Sequence, residues 1–367
     1  MHIFRLIGEA MFEGQNVYFT GIPHPYLPLQ LYWFAIAHWL TEGVGLTIVF
    51  WFKVPSILAE VAMTGLVYSA IRRMRTEKDA LLSSWIYALN PVTTLVAAYQ
   101  GQFDAIPLVL MVAAWYLFDL CAGKRWSMKL SSFAMGLGIL SKSWPVMLLP
   151  IILLRLPHWR SRLKYTAIVV ATPMIGTLFY ELLFPGSLLS ILQHLTEAGA
   201  PPGWWGHLAI LNVIAGLAGY DHGLFQLSVR TSTFATPLCG ALAILLTRRR
   251  PALYSLMLTI LTLFAVFPNF GVQYLSWLVP VGLILGTWNE LGWYIAGAMT
   301  HMVTIYWGMH FSDGLFLLMP ATSASVIIQI SSLAAWGVIL LWDAQEFLHL
   351  RLLPGVFHPN LAGATAD

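Results

Sequence analysis

Long uninterrupted apolar runs dominate this chain. Stretches of roughly 16–23 residues occur at 50–71, 80–98, 103–122, 163–185, 232–247, 252–268, 272–289, 293–311 and 322–342. A helix rises 1.5 Å per residue, so about 20 residues cross the hydrocarbon core of a bilayer. The runs are continuous rather than alternating, which favours a helical bundle over a barrel. A further apolar run, 128–155, is interrupted by Ser141-Lys142-Ser143-Trp144-Pro145 and reads as two short spans meeting at a polar elbow. The expectation is an all-α polytopic transmembrane bundle of about 11 crossings, with interfacial helices in its outer loops.

Charge is scarce. Of 367 residues, 58% are hydrophobic and 10% are Asp, Glu, Lys or Arg, against about 25% charged in soluble domains. No stretch is polar enough for a separate soluble domain, and a net charge of +3 leaves no basic field for nucleic acid. Cys121 and Cys239 lie in different apolar segments and suggest no disulfide. The 11 histidines show no metal-ligand spacing, so neither a metal nor another cofactor is expected.

Two apolar stretches, 28–41 and 208–219, are too short to span comfortably and read as interfacial or re-entrant helices. Basic residues cluster around Arg72–Lys78, Lys124–Lys129, Arg155–Lys164 and Arg248–Arg250. With Arg351 these hold 15 of the 19 Lys and Arg. Eleven crossings put every cluster on one side, the cytoplasm by the positive-inside rule. Counting 28–41 as a span would separate the Arg72 cluster from the rest. Arg5, Lys53, Lys142 and Arg230 remain, at the outer face or outer end of a span. One such cation commonly snorkels to headgroups, whereas four together point to a site for an anion. The predicted parts are an outer loop with amphipathic helices (1–49), a bundle (50–343) with an outer loop at 186–231, and a cytoplasmic tail (344–367).

The order of several motifs resembles a known family. Asn16-Val-Tyr18, then His24-Pro-Tyr26-Leu-Pro28-Leu-Gln-Leu-Tyr32, is similar to the opening loop of GT-C class polytopic glycosyltransferases. Asn90-Pro91, Gln100-Gly-Gln102-Phe-Asp104, Lys142-Ser-Trp144-Pro145 and Gln273-Tyr274-Leu-Ser-Trp277 fit the same group. The likeness runs from residue 2 to about 285 and is nearest to bacterial polyprenol-phosphate-mannose-dependent mannosyltransferases. It implies transfer of a hexose, mannose by family, from a polyprenyl-phosphate sugar to a glycolipid or glycan acceptor. The implied place is the outer face of a bacterial plasma membrane, with membrane lipid as a partner and no nucleic acid. Family members carry a catalytic Asp just after their first span. The matching position here falls at or before Met1, and no Asp occurs until Asp79. The expectation is a further helix and its carboxylate upstream.

Such a transfer needs a carboxylate to take the acceptor's proton and cations to hold the departing phosphate. Asp104 is the best outer carboxylate and the candidate base, with a helix N-cap as its structural alternative. Lys142, Arg230, Lys53 and Arg5 are the candidate phosphate ligands; Lys142 stands in the elbow, and Arg230 is read as opening the next span. Gln100, Gln102, His24, Tyr26, Gln273 and Tyr274 are candidates for the sugar or acceptor. Glu60 lies within a run and reads mainly as a bond between helices. Trp204 and Trp205 read more as interfacial anchors than as sugar platforms. The rival readings are a polytopic transporter or flippase for a lipid-linked or small anionic substrate, and a catalytically inactive relative.

Overall fold

The apolar runs fold as helices, and no strand occurs among the described residues. The computed structural model describes residues 2–22, 24–197, 205–218, 222–268, 270–311 and 321–352. Trp204 and the tail beyond 352, both considered above, lie outside them. Five helices are long and apolar enough to cross a bilayer: Ile48–Met74, Glu77–Gln100, Trp159–Leu183, Gly223–Leu246 and Val326–Leu350. Other apolar runs form shorter helices, at Ala105–Asp119, Trp144–Arg155, Ala252–Val266 and Val272–Leu285. Polar side chains such as Ser131, Ser255, Asp343 and Glu346 are buried, while Leu182, Leu189, Phe234 and Trp293 are exposed. That is the inverse of a water-soluble protein and suits a lipid solvent.

The chain divides into two units, Met1–Ala198 and Gly199–Asp367. The first opens with α1 (His2–Phe12), whose Ile7 and Ala10 are buried, packed on α2 (Leu29–Val44). At 16 residues α2 falls short of a crossing, as expected. The helix α3 (Ile48–Met74) packs on α4 (Glu77–Ala88) and on α6 (Ala105–Asp119). Tyr87 of α4 donates to Glu60 of α3, the interhelical bond expected of that carboxylate. Between α4 and α6 lie α5 (Pro91–Thr94) and a π-helical segment, Leu95–Gln100, which ends at Gly101 with φ +70°. Only glycine adopts that left-handed conformation without strain.

Next come α7 (Ser127–Ser141), a 3₁₀ turn (Trp144–Met147) and α8 (Leu148–Arg155). The helix does break at the predicted elbow: Lys142 is extended and Pro145 occupies the following turn. The long α9 (Trp159–Leu183) packs on α7. A Cβ at Gly136 would lie 2.6 Å from Thr172 Cβ and 3.0 Å from the Val169 carbonyl oxygen, so the two backbones approach closely there. Ser131 donates to the Ala114 carbonyl at 2.7 Å and lies 2.8 Å from the Tyr165 hydroxyl, joining α6, α7 and α9. The unit closes with α10 (Ser187–Glu197), a helix inside what the sequence reads as outer loop. Asn16 donates to Ser187 at 2.8 Å and ties α10 back to the N-terminal loop.

Both ends of α6 are marked. Near Asp119, Arg73 donates to the Leu120 carbonyl at 2.7 Å, and Arg155 lies within electrostatic reach of Asp119. Residues of two basic clusters therefore gather at the C-terminal end of α6, just before the third cluster in the chain. Asp104 begins the opposite end.

The second unit holds α11 (Gly206–Ala218), α12 (His222–Leu246) and α13 (Ala252–Val266). It continues through a 3₁₀ turn (Val272–Ser276) to α14 (Leu278–Leu285), α15 (Trp288–Phe311) and α16 (Ala321–Leu352). Almost every side chain of α13 is buried, with α11, α12, α14 and α16 against it. Trp205 is 2% exposed; it stacks on Phe270 at 3.8 Å and donates to the Phe264 carbonyl at 2.8 Å. It is a core residue, not the interfacial anchor expected. A second correction concerns Arg230, read as the start of a span. The helix begins at His222, so Arg230 lies inside α12. Gln226, Ser228 and Arg230 lower the local hydropathy without breaking the helix, because none of them is a strong breaker.

Candidate active site

The polar elbow and the start of α6 meet in a buried ion pair. Lys142 Nζ lies 2.6 Å from Asp104 Oδ2, and the side chains are 4% and 0% exposed. Each partner is delivered by a local break. The π-helical segment and Gly101 turn the chain so that Asp104 enters α6 from the inside. Loss of helix at Lys142, whose N–H still caps onto the Gly138 carbonyl, turns its side chain inward. The Asp104 carboxylate does not cap its own helix, which removes the structural alternative considered for it. A full positive charge next to it is the stronger attraction in a dry site.

Aromatic rings enclose the ammonium. Its nitrogen lies 4.5 Å from the Phe103 ring centre and 4.9 Å from that of Tyr26, within cation–π range. Tyr26 in turn meets Phe103 and His24 edge-on at 5.1 and 5.5 Å. His24 is 1% exposed, and its Nε2 has no partner. Burial, with His194 adding to it, lowers the imidazole pKa to about 3, so the ring is neutral. Tyr18 packs on His24, Tyr180 and His194 and donates to the Tyr26 carbonyl at 2.7 Å, which fixes the loop that carries both rings. Beneath them Ile7, Leu31, Phe34, Phe52 and Ile191 form an apolar floor with Phe103.

The other candidates are placed differently. Gln100 ends the π-helical segment, and Gln102 bonds through its N–H to the Val96 carbonyl while its Oε1 is buried without a partner. Arg5 is exposed and pairs with Glu9 at 3.3 Å, one turn along α1. Lys53 is half-buried on α3. Arg230, exposed on α12, and Gln273 and Tyr274, in the turn before α14, belong to the second unit. There Tyr274 lies 4.5 Å from Trp277 and 5.5 Å from Phe270, ring to ring.

Sequence reasoning missed Gln30 and Ser141. Gln30 Nε2 donates to Ser141 Oγ at 2.6 Å, joining α2 to the residue before Lys142. The signal was a lone glutamine in an apolar stretch, which must find a buried partner.

Comparison with known proteins bears on this arrangement. Residues 24–183 match the family model described as dolichyl-phosphate-mannose-protein mannosyltransferase, a segment that contains His24, Asp104 and Lys142. No curated protein matches the chain in sequence. In fold it is similar to the crystal structure of ArnT from Cupriavidus metallidurans bound to undecaprenyl phosphate. That match has a TM-score of 0.50 and 14% identity, covering 92% of this chain and 71% of the other. Motifs, matched segment and fold agree, and the chain is a polytopic membrane protein that resembles the GT-C class glycosyltransferases.

Proposed function

We propose that this GT-C-like membrane glycosyltransferase moves a hexose, mannose in the first instance, from a polyprenyl-phosphate donor to an acceptor hydroxyl on the outer face of a bacterial plasma membrane. The observation that carries the reading is the buried Asp104–Lys142 pair in a broken-helix elbow. Irregular backbone at membrane depth is tolerated where it lines a cavity, and a buried cation there is a functional candidate. The pair sits at the end of α6 opposite the basic clusters, which supports the outer face under the positive-inside rule. The same rule puts the C-terminus in the cytoplasm.

The geometry suggests an exchange of partners. Without donor, the ammonium and carboxylate satisfy each other. A donor phosphate takes over Lys142, and the Asp104 carboxylate turns to the acceptor hydroxyl. The acceptor oxygen then bonds to the anomeric carbon as its proton passes to Asp104. The bond from that carbon to the phosphate oxygen breaks, and the polyprenyl phosphate leaves with the electron pair, held by Lys142. Arg5, Lys53 and Arg230 stay as candidate phosphate contacts, and Gln100, Tyr26, Gln273 and Tyr274 as sugar or acceptor contacts.

The test is a membrane preparation given radiolabelled polyprenyl-phosphate mannose and a lipid extract as acceptor. Label should enter a new glycosidic product, and both Asp104→Asn and Lys142→Ala should abolish it. Unchanged transfer in both variants would overturn the site. Label that crosses the bilayer still attached to its donor would favour the flippase instead.

A further inference from the structure

Two buried polar atoms beside the ion pair lack protein partners, and both accept hydrogen bonds. The first is Nε2 of His24. We assign the proton of the neutral ring to Nδ1, on the side of the Leu27 backbone, which leaves the lone pair on Nε2. The second is Oε1 of Gln102, a carbonyl oxygen. An unpartnered buried acceptor is unfavourable by about 1–3 kcal/mol, so such atoms mark the place of a missing group.

The two atoms sit in the frame of the same site. His24 meets Tyr26 edge-on at 5.5 Å, and Tyr26 meets Phe103 at 5.1 Å. Phe103 separates Gln102 from Asp104 in the chain. Lys142 Nζ lies against both rings, at 4.9 Å and 4.5 Å.

From this we infer that His24 Nε2 and Gln102 Oε1 form a hydroxyl-recognition subsite, which takes O–H donors of a neutral sugar and sorts substrates by them. This rests on the donor reading above and adds a division of labour to it. An ionised phosphate offers oxygens and no donor, so it cannot satisfy either atom; it belongs on Lys142. Sugar hydroxyls donate readily and carry no charge into a site whose charges are already matched. His24 is therefore a specificity residue and not the proton acceptor.

The test uses the full chain in lipid nanodiscs, with affinity for polyprenyl phosphate and for polyprenyl-phosphate mannose measured separately. Wild type should bind the sugar-bearing lipid about tenfold more tightly. His24→Phe keeps the ring contacts to Tyr18 and Tyr26 but has no acceptor. It should erase that preference and leave polyprenyl phosphate within about twofold. His24→Gln, which carries a carbonyl near the Nε2 position, should restore part of it, and Gln102→Leu should behave like His24→Phe. If the hydroxyls belong to the acceptor instead, the same variants raise the acceptor's KM with kcat and donor affinity unchanged. Equal weakening of both lipids by His24→Phe, or an intact sugar preference with unchanged acceptor KM, overturns the subsite. Wild type that binds neither lipid overturns the donor reading itself, a separate failure from the loss of the His24 effect alone.

Discussion

Gln30 and Ser141 stand 111 residues apart and are joined by a 2.6 Å hydrogen bond, buried at both ends. The bond connects α2 to the last residue of α7, directly before Lys142. It therefore holds the elbow against α2, the helix that follows the Tyr26 loop.

Ser141→Ala leaves the Gln30 amide without its acceptor in an apolar surrounding. A loss of about 1–3 kcal/mol is expected. Gln30→Leu with Ser141→Ala removes both partners and should recover part of that loss. Thermal unfolding of the two variants in one detergent checks the sign. Additive losses would show that the two side chains do not act as a pair.

The Asp104–Lys142 pair separates stability from activity. Lys142→Met alone leaves a buried carboxylate without its counter-charge and is expected to cost about 3–5 kcal/mol. Asp104→Asn added to it removes the remaining charge and should restore most of the stability. Transfer activity should stay absent in the double variant. Unfolding midpoints and radiolabel transfer, measured on the same preparations, decide whether the pair has a role beyond holding the helices.

His24 sets a direction for pH. Its folded pKa is about 3, below the ordinary value of 6.5. Between those values the unfolded chain binds a proton that the folded chain does not. Stability from this group is thus complete above about pH 6.5 and is lost as pH falls. Wild type should lose more stability than His24→Phe between pH 7 and pH 5, read as the shift in unfolding midpoint. A parallel fall in both would exclude His24 as the cause.

Close approach of α7 and α9 depends on Gly136. In Gly136→Ala the methyl would meet Thr172 Cβ at 2.6 Å and the Val169 oxygen at 3.0 Å. A loss of about 1–3 kcal/mol is expected from the overpacking. Gly65, in α3, has nothing within 4 Å of the same methyl, so Gly65→Ala should gain about 0.5–1 kcal/mol from helix propensity. Opposite shifts of the unfolding midpoint in the two variants check the packing of this unit.

Composition and the apolar runs alone determined that the chain is helical, polytopic and made for lipid, because hydropathy is a local property summed along each segment. They also located the break at Ser141–Pro145, where two serines, a lysine and a proline fall together inside one apolar run. Asp104 and Lys142 were each legible as candidate site residues by type and place. Tertiary structure decided that they bond to each other rather than one capping α6 and the other reaching a headgroup. It decided likewise that Gln30 meets Ser141, that Trp205 is core, and that α12 starts at His222. These depend on which helix faces meet across tens of residues, and periodicity within one segment carries no record of its neighbour. The unpartnered acceptors on His24 and Gln102 belong to the same class, because a missing partner is defined only once every other group has been placed.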